Sequence, residues 1–274
     1  MSLGPFDLPG EPFLALYSAL LAMTIVASFF IPRWLRPEGR APRNLDTDQL
    51  AWLVGGKPRW IDTVMSRLLG RRALSMVGKN RFQPERRDAW RSEAERSVLR
   101  LPAPTPWSTI ERELAPHAAP IERALVSADL LMDRPTTLQM RFWSTLPYLL
   151  LLAFGAIKWD VGVMRVRPVG YLTGLLILTA IFALIRWLAV DRRTRAGQAA
   201  VAEARSRSQR LRRAPAEGET DLGVALFGTV VLSGSDWSSY HQFRTSSSSG
   251  DSGGGGSDGG GGCGGGGCGG CGGS

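Results

Sequence analysis

Histidine and cysteine are scarce in this chain. The two histidines, His117 and His241, stand far apart, and the three cysteines, Cys263, Cys268 and Cys271, all fall within the last dozen residues. No cysteine is left to staple the rest of the chain, which excludes a disulfide scaffold. A lone histidine is more often a surface or packing residue than a catalyst. Also missing are a phosphate-binding G-x-x-x-x-G-K-[ST] loop, a G-x-G-x-x-G turn opening a helix, an H-E-x-x-H helix and a G-x-S-x-G elbow. Carboxylates are scattered and mostly lie beside arginines, which suits solvated ion pairs better than acid–base work. No catalytic residue, metal or cofactor is expected.

Hydrophobic residues make up an ordinary 44% of 274 residues, but they are concentrated in three blocks. The first, residues 12–32, carries no charge, and about 20 residues at 1.5 Å each match a hydrocarbon core of roughly 30 Å. Asp7 and Glu11 precede it, while Arg33, Arg36, Arg40 and Arg43 follow. A secretory signal would show the reverse, so a retained anchor with its N-terminus outside is expected. The second block, residues 142–159, is shorter, and a buried core helix is its rival reading. Lys158 can snorkel, and Trp143 and Trp159 suit the two interfaces. The third block, residues 168–190, has Arg186 one turn from its end, within reach of headgroups. Arg192, Arg193 and Arg195 come next. Blocks two and three form a helical hairpin, and no ionisable group lies midway along any block, against an ion pathway.

Net charge is +9. A basic balance points to nucleic acid or anionic lipid, but in a membrane protein the retention of Lys and Arg on the cytoplasmic side is the simpler cause. The linker between blocks two and three, with Lys158, Arg165 and Arg167 against Asp160, is more positive than an outside loop should be. The arginines after the first and third blocks outweigh it. The expectation is a multi-pass protein of the bacterial cytoplasmic membrane, residues 1–11 outside and the C-terminus inside.

Residues 44–141 read as a cytosolic helical domain. TDQLAWLV has an N-cap candidate in Thr47 and apolar residues at helical spacing, stopped by Gly55-Gly56. A second helix from Pro58 puts Ile61, Val64, Met65, Leu68 and Leu69 on one face. Leu74, Met76 and Phe82 around Gly78-Lys79-Asn80 read as a short hairpin. Helix, helix, hairpin is the order of a winged-helix-like unit over 44–84. Further helices are expected over Glu85–Leu99, then from Thr105 as N-cap, then from Pro120. Twelve basic residues against five acidic lie between Lys57 and Arg100. Arg67, Arg71, Arg72, Lys79 and Arg81 form a candidate surface for an anionic partner. One sequence cannot show the register that base readout needs. A cytosolic protein and the lipid bilayer are therefore the expected partners, with a membrane-tethered DNA-binding regulator as the alternative.

Residues 191–245 read as a basic helix followed by a short apolar segment, Asp221–Gly234, too short to cross a bilayer. It is expected either to pack on the domain or to lie at the interface. Residues 246–274 are glycine, serine and cysteine, a composition that cannot bury enough apolar surface to order itself. The C-x4-C-x2-C thiols are one ligand short of a closed zinc site and have no histidine nearby. A modifying enzyme acting on Cys263, Cys268 and Cys271 (thiazole formation or thiol exchange) is the alternative to a plain tether.

DQLAWLVGG (Asp48–Gly56), RVRPVGYL (Arg165–Leu172), TRAG (Thr194–Gly197) and the Cys–Gly ending occur in an order that resembles a family of uncharacterised bacterial membrane proteins. These share a conserved membrane-associated domain and a Gly/Cys-rich, low-complexity C-terminus. The resemblance implies membrane location and a processed or interacting tail, with no catalytic residues to carry over. The fold expected is mainly α: three transmembrane helices, a cytosolic winged-helix-like domain and a disordered tail.

Overall fold

The computed structural model describes residues 10–41, 44–164, 170–212 and 218–250. It is mainly helical, with two bodies: an apolar helix bundle and a polar-surfaced domain.

The bundle contains α1 (Gly10–Leu35), α5 (Arg134–Met164) and α6 (Gly170–Leu188). Each is long and apolar enough to cross a membrane, yet only 22%, 17% and 17% of their apolar windows are buried. Phe29, Leu150, Ile177 and Leu184 are among the large side chains left exposed. A core helix of a water-soluble protein would hide such a surface, so the buried-core reading of the second block is set aside. What the helices do bury is a narrow seam of Phe13, Leu21, Leu151 and Leu172 with two hydrogen-bonded tyrosines. The Tyr17 and Thr179 hydroxyls lie 3.1 Å apart, and Tyr148 donates to Ser28 Oγ at 3.0 Å. At Gly155 a Cβ would sit 2.7 Å from the Tyr17 ring and 2.8 Å from Leu176, so only glycine permits this approach.

α5 is longer than its apolar block. Asp133 Oδ1 accepts from Thr136 N at 3.2 Å, and Pro135 suits a first turn, so the helix starts at Arg134 and takes in residues expected to belong to the domain. It also runs through Asp160 to Met164, into the expected linker. Hydrophobicity decides where a helix meets lipid; the hydrogen-bond ladder decides where it ends.

The domain begins with α2 (Thr47–Gly70). Its N-cap is Asp46, one residue before the expected Thr47, in a capping box with Gln49. Gly55 and Gly56 leave helical geometry, Gly56 at φ +63 and ψ −156, and Pro58 lies in the first turn after the break. Arg72, at φ +52, turns the chain into β1 (Leu74–Val77). β1 pairs antiparallel with β2 (Arg81–Pro84), Met76 opposite Phe82.

Three expectations for the next segment are corrected. Residues 85–92 are not helical. Glu85 N donates to Ala73 O, tying this segment back to the end of α2, and Ser92 caps a helix confined to α3 (Glu93–Leu99). Thr105 is no N-cap; with Pro106 it forms β3, completing a sheet of order β1-β2-β3. A single helix, α4 (Trp107–Ser127), then runs through both Pro116 and Pro120, with Ile110, Leu114, Ala118 and Leu125 holding it to the core.

The largest difference lies beyond the bundle. α7 (Arg195–Arg207), α8 (Thr220–Phe227), a 3-10 turn (Thr229–Leu232) and α9 (Ser238–Gly250) pack on the elements before it. Val224, Ala225 and Leu232 are fully buried beside Trp60, Met65 and Leu68. The short apolar segment is thus core, and α9 extends past Ser246, where the tail was expected to begin. One hydrophobic core is built from two stretches of chain with the α5–α6 hairpin between them.

Candidate functional site

The five basic residues singled out in the sequence part into two groups. Arg67 and Arg71 turn inward. Arg67 Nη2 lies 2.7 Å from Asp48 Oδ1, Nε 3.0 Å from Asp221 Oδ2 and Nη1 3.4 Å from Glu95 Oε1, joining the first turns of α2 and α8 to α3. Arg71 Nη1 meets the other Glu95 oxygen at 3.2 Å. Burial works against the Arg67 charge, but Asp48 and Asp221 outweigh it and hold its pKa above the ordinary value. These two arginines serve the interior. Arg72, Lys79 and Arg81 stay exposed at the helix–hairpin corner and along the hairpin. Trp90 is also exposed, with the Arg96 guanidinium 5.0 Å from its ring centroid. Cys263, Cys268 and Cys271 lie outside the described residues.

A second interior cluster had no signal in the sequence reading. Tyr240 on α9 donates to Asp62 Oδ1 at 2.7 Å, and Arg244 Nε lies 2.7 Å from the same oxygen. Burial pushes the Asp62 carboxyl up, against the pull of Arg244 and the Tyr240 hydroxyl. Burial, then Asp62, raise Tyr240. The partners of Asp62 lie 178 and 182 positions away, beyond the reach of any local pattern. The cluster latches α9 to α2. His241 Nδ1 lies 3.1 Å from Thr229 Oγ1, a local contact. Among the described residues no group of His, Cys, Asp and Glu could hold a metal.

Three passages of chain meet where the domain joins the bundle. Arg195 N donates to Pro37 O and Ala196 N to Glu38 O, at 3.0 and 2.8 Å; Met132 N donates to Arg192 O at 2.7 Å. Thr194 caps α7, donates through Oγ1 to Asp129 O at 2.8 Å and through its backbone N to Leu130 O at 3.1 Å. Two glycines make the closeness possible. A Cβ on Gly197 would fall 2.3 Å from Leu130 O, and one on Gly39, at φ +72, 2.4 Å from Asp129 O. That is the physical content of the TRAG stretch. The exits of α1 and α6 and the entry to α5 are tied into one collar.

No family model, curated protein or solved structure matches the chain. The reading of its site therefore rests on geometry alone. Beside the collar lies an open cavity of about 590 Å³ lined by Arg36, Arg186, Asp191 and Arg195 together with Phe29 and Met140. Arg36 Nη1 sits 3.5 Å from Asp191 Oδ2, and burial holds the Arg36 pKa below its ordinary value despite that carboxylate. Two of the arginines that flank the first and third blocks, Arg36 and Arg195, thus meet Arg186 around one cavity.

Proposed function

We propose that this chain is a non-enzymatic protein of the bacterial cytoplasmic membrane, crossing it three times with its N-terminus outside, whose cytosolic domain recruits a protein partner through an exposed basic surface. Support for the crossings comes from the single core built on both sides of the α5–α6 hairpin. Since α2–α4 and α7–α9 share that core, both ends of the hairpin stand on one face, and α6 must return α5's crossing. The arginines after α1 and α6 favour the cytoplasm for that face. The resemblance to bacterial membrane proteins with Gly/Cys tails agrees with this placement.

The observation that carries the recruiting role is the exposed set Arg72, Lys79 and Arg81 with Trp90 on the same domain. Interior carboxylates consume Arg67 and Arg71 but not these, and arginine with an exposed aromatic is the composition of an interface centre. Nucleic acid is less well supported, because the second half of α2 would have to supply the reading helix of a winged-helix-like unit and two of its basic residues face inward. That description of 44–84 rests only on the order helix, helix, hairpin; β3 joins the hairpin after α3. The tail is proposed as a tether, with modification of its cysteines as the alternative.

Site-specific photo-crosslinking from Lys79 in cells tests the role. The expected result is one discrete cytosolic protein adduct that drops about tenfold when Arg72 and Arg81 are changed to glutamate. Crosslinks to lipid alone, or an adduct indifferent to the charge reversal, would contradict it.

A further inference from the structure

We infer that the cavity at the collar is a binding site for the phosphate of an anionic phospholipid headgroup. The inference rests on the membrane placement proposed above and adds a ligand to it. Three arginines converge there: Arg36 just beyond α1, Arg186 in the last turn of α6, and Arg195 opening α7. They face a single lining carboxylate, Asp191, which is already shared with Arg193 Nε at 3.4 Å and Gln198 Nε2 at 2.9 Å. Glu38, almost fully exposed, is 3.8 Å from Arg195 Nη1 and does not line the cavity.

Two donors lack a hydrogen bond. Arg36 Nη1, which has only the 3.5 Å ion-pair contact with Asp191, and Arg186 Nε are buried, and neither donates a hydrogen bond to an acceptor among the described residues. A buried donor on a charged group is costly to leave unmet and calls for an acceptor. A phosphate diester supplies several acceptor oxygens and one negative charge, which suits the Arg36 and Arg186 donors. The lowered Arg36 pKa has the same origin, since burial and the neighbouring Arg193 and Arg195 outweigh Asp191.

A lipid fits better than a free anion because of where the cavity lies. The apolar window of α1 ends at Ile31 and α6 ends at Leu188, which puts the cavity at headgroup depth. Its wall continues into exposed Phe29, and Ile185 and Leu188 on α6 are exposed too, apolar surface along which an acyl chain can lie. The volume is that of a small-molecule pocket. Basic pockets on the cytoplasmic side of helix bundles are suited to such headgroups.

The test uses the full chain purified in mild detergent and exposed to equal phosphatidylglycerol and phosphatidylcholine, with retained lipid read by native mass spectrometry. Phosphatidylglycerol is expected to be retained about tenfold over phosphatidylcholine, Arg186→Gln to bring the two near parity, and Arg186→Lys to restore part of the preference. A molar excess of inorganic phosphate is expected to leave the lipid in place. Displacement by phosphate would overturn the lipid assignment. A chain that holds both lipids equally, or an Arg186→Gln variant that keeps the preference, would overturn the site and leave the membrane placement standing. A chain that stays monomeric without detergent and retains neither lipid would overturn both.

Discussion

Replacing Arg67 with alanine is expected to destabilise the domain by about 3–5 kcal/mol, the usual cost of breaking a buried ion pair by removing one partner. The geometry explains why this arginine and not its neighbours. Asp48, Glu95 and Asp221 come from three separate helices and converge on one guanidinium, and Glu95 has no exposed surface at all. Without Arg67, Glu95 keeps Arg71 at 3.2 Å and the Arg91 backbone N–H at 2.7 Å, while Asp48 and Asp221 lose their arginine. Thermal unfolding of the detergent-solubilised full chain should shift down by on the order of 10 °C. Arg67→Lys should recover only part of this, since a single ammonium cannot reproduce a planar fork spread over three acceptors. Arg72→Ala, at the exposed corner beside it, should shift the midpoint little. Equal effects at Arg67 and Arg72 would mean that the inward cluster does not hold the domain together.

Tyr240→Ala is expected to cost a similar amount, about 3–5 kcal/mol, because it combines a cavity with the loss of a hydrogen bond to the buried Asp62 carboxylate. The Tyr240 ring is buried with centroids 6.1 Å from Phe82, 6.1 Å from Trp107 and 6.4 Å from Phe243. Its hydroxyl meets Asp62, and the Arg244 guanidinium that shares Asp62 sits 4.7 Å from the Trp107 ring centroid. Tyr240→Phe keeps the rings and removes only the donor, so about 1–3 kcal/mol is expected. Limited proteolysis separates the two outcomes locally: cleavage in α9 should speed up strongly in Tyr240→Ala and modestly in Tyr240→Phe. Cleavage unchanged in both would show that α9 is not latched through this residue.

How legible this molecule is from its sequence depends on the range of the interaction. The three apolar blocks stand out because each is a continuous local signal. Likewise the Gly55-Gly56 break and the turn at Gly78-Lys79-Asn80 depend on residues next to one another. Residues 85–92 look helical by spacing, yet Glu85 is held by the backbone of Ala73 and Ser92 sets the helix start. Pro120 reads as the start of a new helix, yet Ile110, Leu114, Ala118 and Leu125 keep one helix packed through it.

The inward turn of Arg67 and Arg71 was hidden for the same reason. A basic helix face reads as solvated or as a partner surface until α3 and α8 bring Glu95 and Asp221 against it. Asp221 belongs to a stretch beyond the α5–α6 hairpin, and nothing local says that this stretch returns to complete the first core. The arginine-lined cavity needs three helix ends at once. No single passage of chain contains it.

The placement of that shared core relative to the bilayer is the claim on which the partner surface and the headgroup site both depend. Its most direct test is labelling with a membrane-impermeant thiol reagent in intact spheroplasts, using chains whose tail cysteines are serine and that carry one new thiol each at Lys79→Cys, Ser239→Cys or Asp160→Cys. The account predicts that only Asp160→Cys reacts from outside, and that Lys79→Cys and Ser239→Cys react together once the membrane is opened. If Lys79→Cys and Ser239→Cys reacted from opposite sides, the two halves of the core could not share one face and the three-crossing arrangement would be wrong.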